Sequence, residues 1–193
     1  RLYQYNFRGR NETLRLTAQF GFTRRFQLTY RIPNLDKSQK HGLVFDFDYA
    51  EPKNLAYRTF DHKLEFIEGR KTLRESYGGA VTYSFRRSFY ETHSLSFEYR
   101  DSRIADTVLR SNPAFYQNES PTQRFGAVSY FFNSEHRDVV AYPLKGYQIT
   151  GFVSKLGVGF GDDVDIFEAN VTYATHFDLK KNFYLSNFSS AYY

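Results

Sequence analysis

Five histidines, a knot of three aspartates and one proline–glycine turn are the residues of this chain best placed to do chemistry. His41, His62, His93, His136 and His176 are dispersed. No two stand four apart and no H-x-H pair occurs, so no metal-binding helix or strand face is offered. Asp162, Asp163 and Asp165 follow Gly159 and Gly161. A calcium ion takes such oxygens, but the D-x-D-x-D-G spacing and its terminal Glu are missing, which favours a solvated loop. There is no Gly-rich phosphate loop, no G-x-S-x-G elbow and no H-E-x-x-H. The chain has no Cys, which removes disulfides and thiolate metal sites. Carboxylates are plentiful, yet nothing in their order brings two into one pocket. Neither catalysis nor a metal or cofactor is expected. Asn118–Ser120 reads N-x-S and carries little weight. What remains is the stretch H-R-D-V-V-A-Y-P-L-K-G-Y-Q-I, His136 to Ile149, whose Asp138, Pro143 and Gly146 suit a turn rather than a site.

The elements that must hold these residues are strands. Period-two alternation runs through Leu14–Phe20, Phe26–Ile32, Leu43–Tyr49, Val81–Phe85, Leu95–Tyr99 and Phe167–Thr175, with apolar residues on one face and Arg, Asp, Glu, Gln, Thr or Ser on the other. Weaker strands are expected near Tyr57–Phe66, Arg124–Phe132, Tyr147–Val153 and Phe183–Tyr193, for about ten in all. Only Ser102–Leu109 suggests a short helical turn. Gly78–Gly79 inside a strand predicts a bulge or a close backbone approach.

Composition narrows the architecture. Of 193 residues, 17 are Tyr and 21 Phe, while hydrophobic residues reach only 41% and mean hydropathy is −0.60. That combination suits a surface alternating residue by residue better than a soluble core. No run approaches the roughly 18 apolar residues of a helical span, but a spanning strand needs only about 9–11. Charges sit mid-strand (Arg15, Arg31, Asp46, Asp48, Glu98), and aromatics gather at strand ends (Phe20 and Phe22, Phe89 and Tyr90, Phe131 and Phe132, Tyr192 and Tyr193). Both fit a membrane barrel with a wet lumen and aromatic girdles. A soluble all-β binding module shares the alternation and stays open as an alternative. The connections alternate in length, short at Gly21–Thr23 and Arg87–Thr92 and long at Tyr99–Gln123. The opening R-L-Y-Q-Y-N lacks an apolar leader, so the segment is expected to be internal to a longer precursor or to follow an upstream start. The last residues read as a strand without a closing turn, so more strands or another chain are expected to complete the sheet. Net charge is +5, but Lys and Arg are interleaved with acids and no nucleic-acid partner is expected.

Asp138–Gly146 reads D-x4-P-x2-G before a strand, and it resembles a recurrent turn in the barrels of the Omp85 superfamily. The opening N-F-R-G-R-N-E-T-L-R-L-T-A-Q-F-G-F-T-R-R-F-Q-L-T-Y-R-I-P-N-L resembles the first two strands of such barrels, with Asn6, Gly9, Leu14, Leu16, Gly21, Leu28, Tyr30 and Pro33 at the matching places. The resemblance implies an all-β fold: an antiparallel transmembrane β-barrel, with about ten of 16 strands present in residues 1–193. It implies POTRA repeats upstream and a V-R-G-F loop downstream, and leaves BamA-like and TamA-like subfamilies open. It also implies an outer-membrane assembly or insertion factor. A lateral gate there would let client strands add by β-augmentation to the first strand, here Glu12, Thr13, Leu14, Arg15, Leu16, Thr17, Ala18, Gln19 and Phe20. Implied partners are the lipid bilayer and lipopolysaccharide, nascent outer-membrane proteins and accessory assembly proteins. Asp138, Pro143 and Gly146 would be structural. A passive porin or transporter barrel, or an outer-membrane enzyme whose chemistry lies elsewhere, would share most of these features.

Overall fold

A computed structural model describes residues 1–69, 71–159 and 161–193. Alternation turns into strands throughout: β1 (Leu2–Tyr5), β2 (Thr13–Gln19), β3 (Thr23–Ile32), β4 (His41–Pro52), β5 (Asn54–Phe60), β6 (Lys63–Glu68), β7 (Arg74–Arg86), β8 (Glu91–Ile104), β9 (Thr122–Glu135), β10 (Gly146–Leu156), β11 (Ile166–Asp178) and β12 (Tyr184–Tyr192). Among the described residues a single helix, α1 (Asp106–Ser111), falls in the β8–β9 connection, slightly later than the Ser102–Leu109 expectation because β8 continues to Ile104. Ten strands form one antiparallel sheet in the order β1-β2-β3-β4-β7-β8-β9-β10-β11-β12. Every neighbour in sequence is a neighbour in space, except that β5 and β6 leave the sheet as a hairpin of their own. Tyr57–Phe66, expected as one strand, is that hairpin: Asp61 and His62 both have positive φ (47° and 58°), which turns the chain back within two residues.

The ladder places side chains on two faces. On one lie Leu16, Leu28, Phe47, Gly79, Tyr99, Tyr130 and Val153, related by direct pairing or same-face alternation across seven strands. This face is open, with Phe47 56% and Phe97 55% exposed. An apolar face of this extent is covered by lipid in a membrane barrel, where the strand ladder also satisfies every backbone N–H and C=O.

The opposite face is a polar wall. Arg15 Nη2 donates to Thr29 Oγ1 at 2.9 Å, and that hydroxyl donates to Asp46 Oδ1 at 2.7 Å, so β2, β3 and β4 are tied in sequence. Arg100 on β8 reaches across β7 to Asp48 on β4 (3.2 Å) and also holds Glu98 (2.8 Å). It crosses at Gly78, where a Cβ would stand 3.2 Å from Asp48 Oδ1 and 3.3 Å from Arg100 Cζ. Gly78 and Gly79 keep regular register on both sides, so close approach, not a bulge, explains them. Thr82 pairs with Ser96 and Ser129 with Ser154 further along the same wall.

The buried cluster lies at one end of this sheet and includes Ile104, the last residue of β8. Leu55, Leu73, Ile104, Val108 and Tyr116 pack together at one end of the strands, joining the β5–β6 hairpin to the α1 loop. Asn112 Nδ2 donates to Tyr57 O (2.6 Å) and Tyr116 Oη to Ser102 Oγ (2.8 Å). The same end carries the β10–β11 loop and the short β2–β3 turn. The other end has the connections β1–β2, β3–β4, β7–β8, β9–β10 and β11–β12, which are compact beside the long excursions between β4 and β7 and between β8 and β9. β1 and β12 do not pair with each other among the described residues.

Candidate functional site

No group of three or more His, Asp or Glu among the described residues is placed to hold a metal. Asp162 and Asp163 spend their oxygens on backbone: Gly126 N donates to Asp162 (2.9 Å) and Arg124 N to Asp163 (2.7 Å). Asp165 pairs with Lys155. The residues that sequence reasoning set apart fall instead into a sheet flank and a turn.

The flank differs from the expectation in one respect. Glu12–Phe20 was expected as the first strand and the edge. Four residues of β1 precede it, pairing Leu2 with Leu16, Tyr3 with Arg15, Gln4 with Leu14 and Tyr5 with Thr13. β3 pairs with the other side of β2 from Thr13 to Gln19. Thr13, Leu14, Arg15 and Leu16 are therefore interior to the sheet. Thr17, Ala18 and Gln19 have β3 on one flank and no strand on the other among the described residues. β1 was missed because L-Y-Q-Y is too short to establish a period, and its neighbour N-F-R-G-R-N-E reads as strand entry rather than turn.

Glu12 and Phe20 lie outside β2. Phe20 is in the β2–β3 turn, 72% exposed and edge-on to Phe26 at 5.6 Å. Glu12 closes the β1–β2 turn. It is fully buried and accepts two bonds from Arg8 (2.7 and 2.9 Å) and one from Tyr30 Oη (2.7 Å), with Arg10 at 3.1 Å. The Arg8 hydrogen bonds outweigh desolvation and pull its carboxyl down to about 2, because they favour the charged form. Asn6, Gly9 and Asn11 all adopt positive φ in this turn, and Asn6 Oδ1 accepts from Asn11 N at 2.8 Å.

The β9–β10 turn contains Asp138, Pro143 and Gly146. Asp138 Oδ1 accepts from Val139 N (2.9 Å), Leu144 N (3.0 Å) and Lys145 N (3.3 Å). Burial pushes its carboxyl up, but the Leu144, Lys145 and Val139 N–H groups pull harder, and it sits below the ordinary aspartate range. Gly146 has φ +102°, and a Cβ there would stand 2.1 Å from His136 O. Only glycine fits. The D-to-G spacing is thus the distance over which one carboxylate gathers the amides of a loop whose exit is pinned against its entry.

The histidines have a distribution that sequence reading did not anticipate. On the apolar face at the compact-turn end, His41, Phe85, His93 and Phe132 stack in turn across β4, β7, β8 and β9, with ring centroids 5.1, 6.3 and 5.1 Å apart. Nearby, His136 stacks between Tyr90 (4.6 Å) and Tyr147 (4.7 Å). The signal was in the register: His41, Phe85, His93 and Phe132 pair directly, which no linear spacing displays.

Comparison with known proteins follows the same geometry. The model of the Omp85 superfamily domain matches residues 6–192. Among solved structures, the crystal structure of BamA from Haemophilus ducreyi lacking POTRA domains 1–3 is similar, with a TM-score of 0.66 at 16% identity. The match covers 93% of this chain and 34% of that one, so the chain spans about a third of that structure's length. At this identity the likeness is one of fold. No curated protein matches the chain.

Proposed function

The chain belongs to the Omp85 superfamily, and from that premise we propose that it is part of the wall of a bacterial outer-membrane barrel that assembles or inserts other outer-membrane proteins. The fold supports this reading: an antiparallel sheet of ten strands, apolar outside and polar inside, similar to a BamA barrel. No chemistry is needed for such a task. A client strand gains its binding energy from backbone hydrogen bonds and its register from alternating side chains.

The observation that carries the mechanism is the sheet order, which sets β1 and β2 at one end of the ladder. The client-accepting seam lies on that β1–β2 side of the sheet. Glu12 serves it indirectly, by closing the turn that holds β1 on β2. The partners of this reading are nascent outer-membrane proteins, the bilayer with its lipopolysaccharide, and accessory assembly proteins. A passive pore would have the same wall but no use for a seam that accepts other strands.

These 193 residues contain no cysteine, so an introduced one is the only thiol within them. Thr17→Cys in the full-length protein should form a disulfide with a cysteine placed in the terminal strand of a stalled client, whereas Val171→Cys, on β11, should not. Thr17→Pro, which removes one N–H donor, should lower the yield of assembled client barrels. Equal crosslinking at both positions together with wild-type client levels in Thr17→Pro would refute the proposed seam.

A further inference from the structure

We propose that the histidine–aromatic ladder on the outer face is a binding site for the phosphate headgroup of an anionic phospholipid. This rests on the membrane-spanning placement of the sheet but not on client assembly.

The site is built from four neighbouring strands. His41, Tyr83, Phe85, His93, Leu95 and Tyr130 line a cleft of about 390 Å³ at the compact-turn end. Nδ1 of His41 shares a hydrogen bond with Tyr83 Oη (2.5 Å), and Nδ1 of His93 with Tyr130 Oη (2.7 Å). Each imidazole is thereby oriented through one nitrogen. Neither Nε2 has a protein partner among the described residues, and where the tyrosine hydroxyl donates to Nδ1 the Nε2–H is left to donate to a ligand oxygen. Two identical His–Tyr pairs two strands apart, with Phe85 stacked between the imidazoles, exceed what a simple aromatic girdle requires.

The surroundings say which ligand fits. Toward the middle of the sheet the cleft continues into the exposed apolar face through Leu95 and on to Val81 and Phe97, a path for acyl chains. Toward the turns the strands end at Lys40 and Arg86, joined by a backbone hydrogen bond from Arg86 N to Lys40 O (2.7 Å); their side chains alternate onto the opposite, polar face and belong to the charge of the rim rather than to the cleft lining. Neither side chain forms an ion pair among the described residues. The compact-turn segments 6–12, 33–40, 86–91, 135–145 and 178–183 together carry ten Lys or Arg against six Asp or Glu. The connections at the opposite end, 20–22, 53–73, 105–121 and 157–165, carry six against eight. Positive charge therefore gathers where the ladder lies, as a monoanionic phosphodiester at a bilayer surface requires. Short turns face the periplasm in outer-membrane barrels, which places the site in the phospholipid leaflet.

The test is retention of lipid by the purified full-length protein in detergent, read by native mass spectrometry during titration with phosphatidylglycerol or diacylglycerol. His41→Leu/His93→Leu should lower phosphatidylglycerol retention about fivefold, the loss of one to two charge-assisted hydrogen bonds, and leave diacylglycerol, which lacks the phosphate, nearly unchanged. His176→Leu, whose ring meets Ser186 on β11 and β12, should behave as wild type. Heat-modifiable migration reports folding, and should the double variant fail it, the single variants His41→Phe and His93→Phe should each show a partial loss. Unchanged phosphatidylglycerol retention in folded variants, or an equal fall for both lipids, would overturn the site.

Discussion

At the scale of residues, two side-chain positions govern turns that would otherwise open. Gly146 is the stricter. Its positive φ and the 2.1 Å approach to His136 O leave no room for a methyl, so Gly146→Ala should destabilise the barrel by roughly 3 kcal/mol. A lower temperature for loss of heat-modifiable migration would register it. Glu12 governs the β1–β2 turn through charge. Its folded carboxyl titrates near 2, against 4.5 for the free group. A carboxylate with a depressed pKa contributes stability that is fully present above the free value and lost as pH falls through the folded one. The stability difference between the wild-type protein and Glu12→Gln should therefore be constant from pH 7 to about 5 and shrink as pH drops toward about 2. Parallel melting curves of the two proteins across that range check this. A difference that grows on acidification would contradict the Arg8–Glu12 account.

Elements are tied by features longer than any one turn. Arg100 can cross β7 to reach Asp48 only because Gly78 offers no side chain. Gly78→Val should overpack this crossing at a cost of about 1–3 kcal/mol. In that background Asp48→Ala should have almost no additional effect, because the bridge is already broken. A thermodynamic cycle of the four proteins measures the coupling, and full additivity would mean the bridge contributes nothing. The cap formed by the β5–β6 hairpin and α1 is a separate unit with its own core. Val108 is fully buried there, and Val108→Ala should loosen the cap by roughly 1–2 kcal/mol. Faster protease cleavage at the Asp61–His62 turn, with the melting of the barrel unchanged, is the expected result. The sheet itself stays intact because the cap touches it only at strand ends.

The whole molecule has a direction. Compact connections and excess positive charge lie at one end, the hairpin, α1 and the acidic β10–β11 loop at the other. In the barrel wall proposed above, this asymmetry gives an expected orientation, with the compact turns toward the periplasm. Asp61→Cys should react with a membrane-impermeant maleimide on intact cells, and Ala141→Cys only after the outer membrane is permeabilised. Reversed labelling would invert the orientation and move the proposed headgroup site to the lipopolysaccharide leaflet.

Alternation alone determined most of the architecture, because a strand with one face in lipid and one in water must repeat every two residues, and that repeat is visible in a single chain. The family resemblance was carried by a few residues, chiefly Asp138, Pro143 and Gly146, whose spacing records a turn geometry local enough to read directly. Three features were decided only in three dimensions. β1 was too short to show a period, so the strand taken as the edge proved to have a neighbour. The β5–β6 hairpin hid in one apparent strand, since two left-handed residues at Asp61 and His62 reverse a chain without a glycine or proline to mark them. The ladder of His41, Phe85, His93 and Phe132 arises from residues up to 91 positions apart, and hydrogen-bond register between strands is a long-range property that spacing along the chain does not encode.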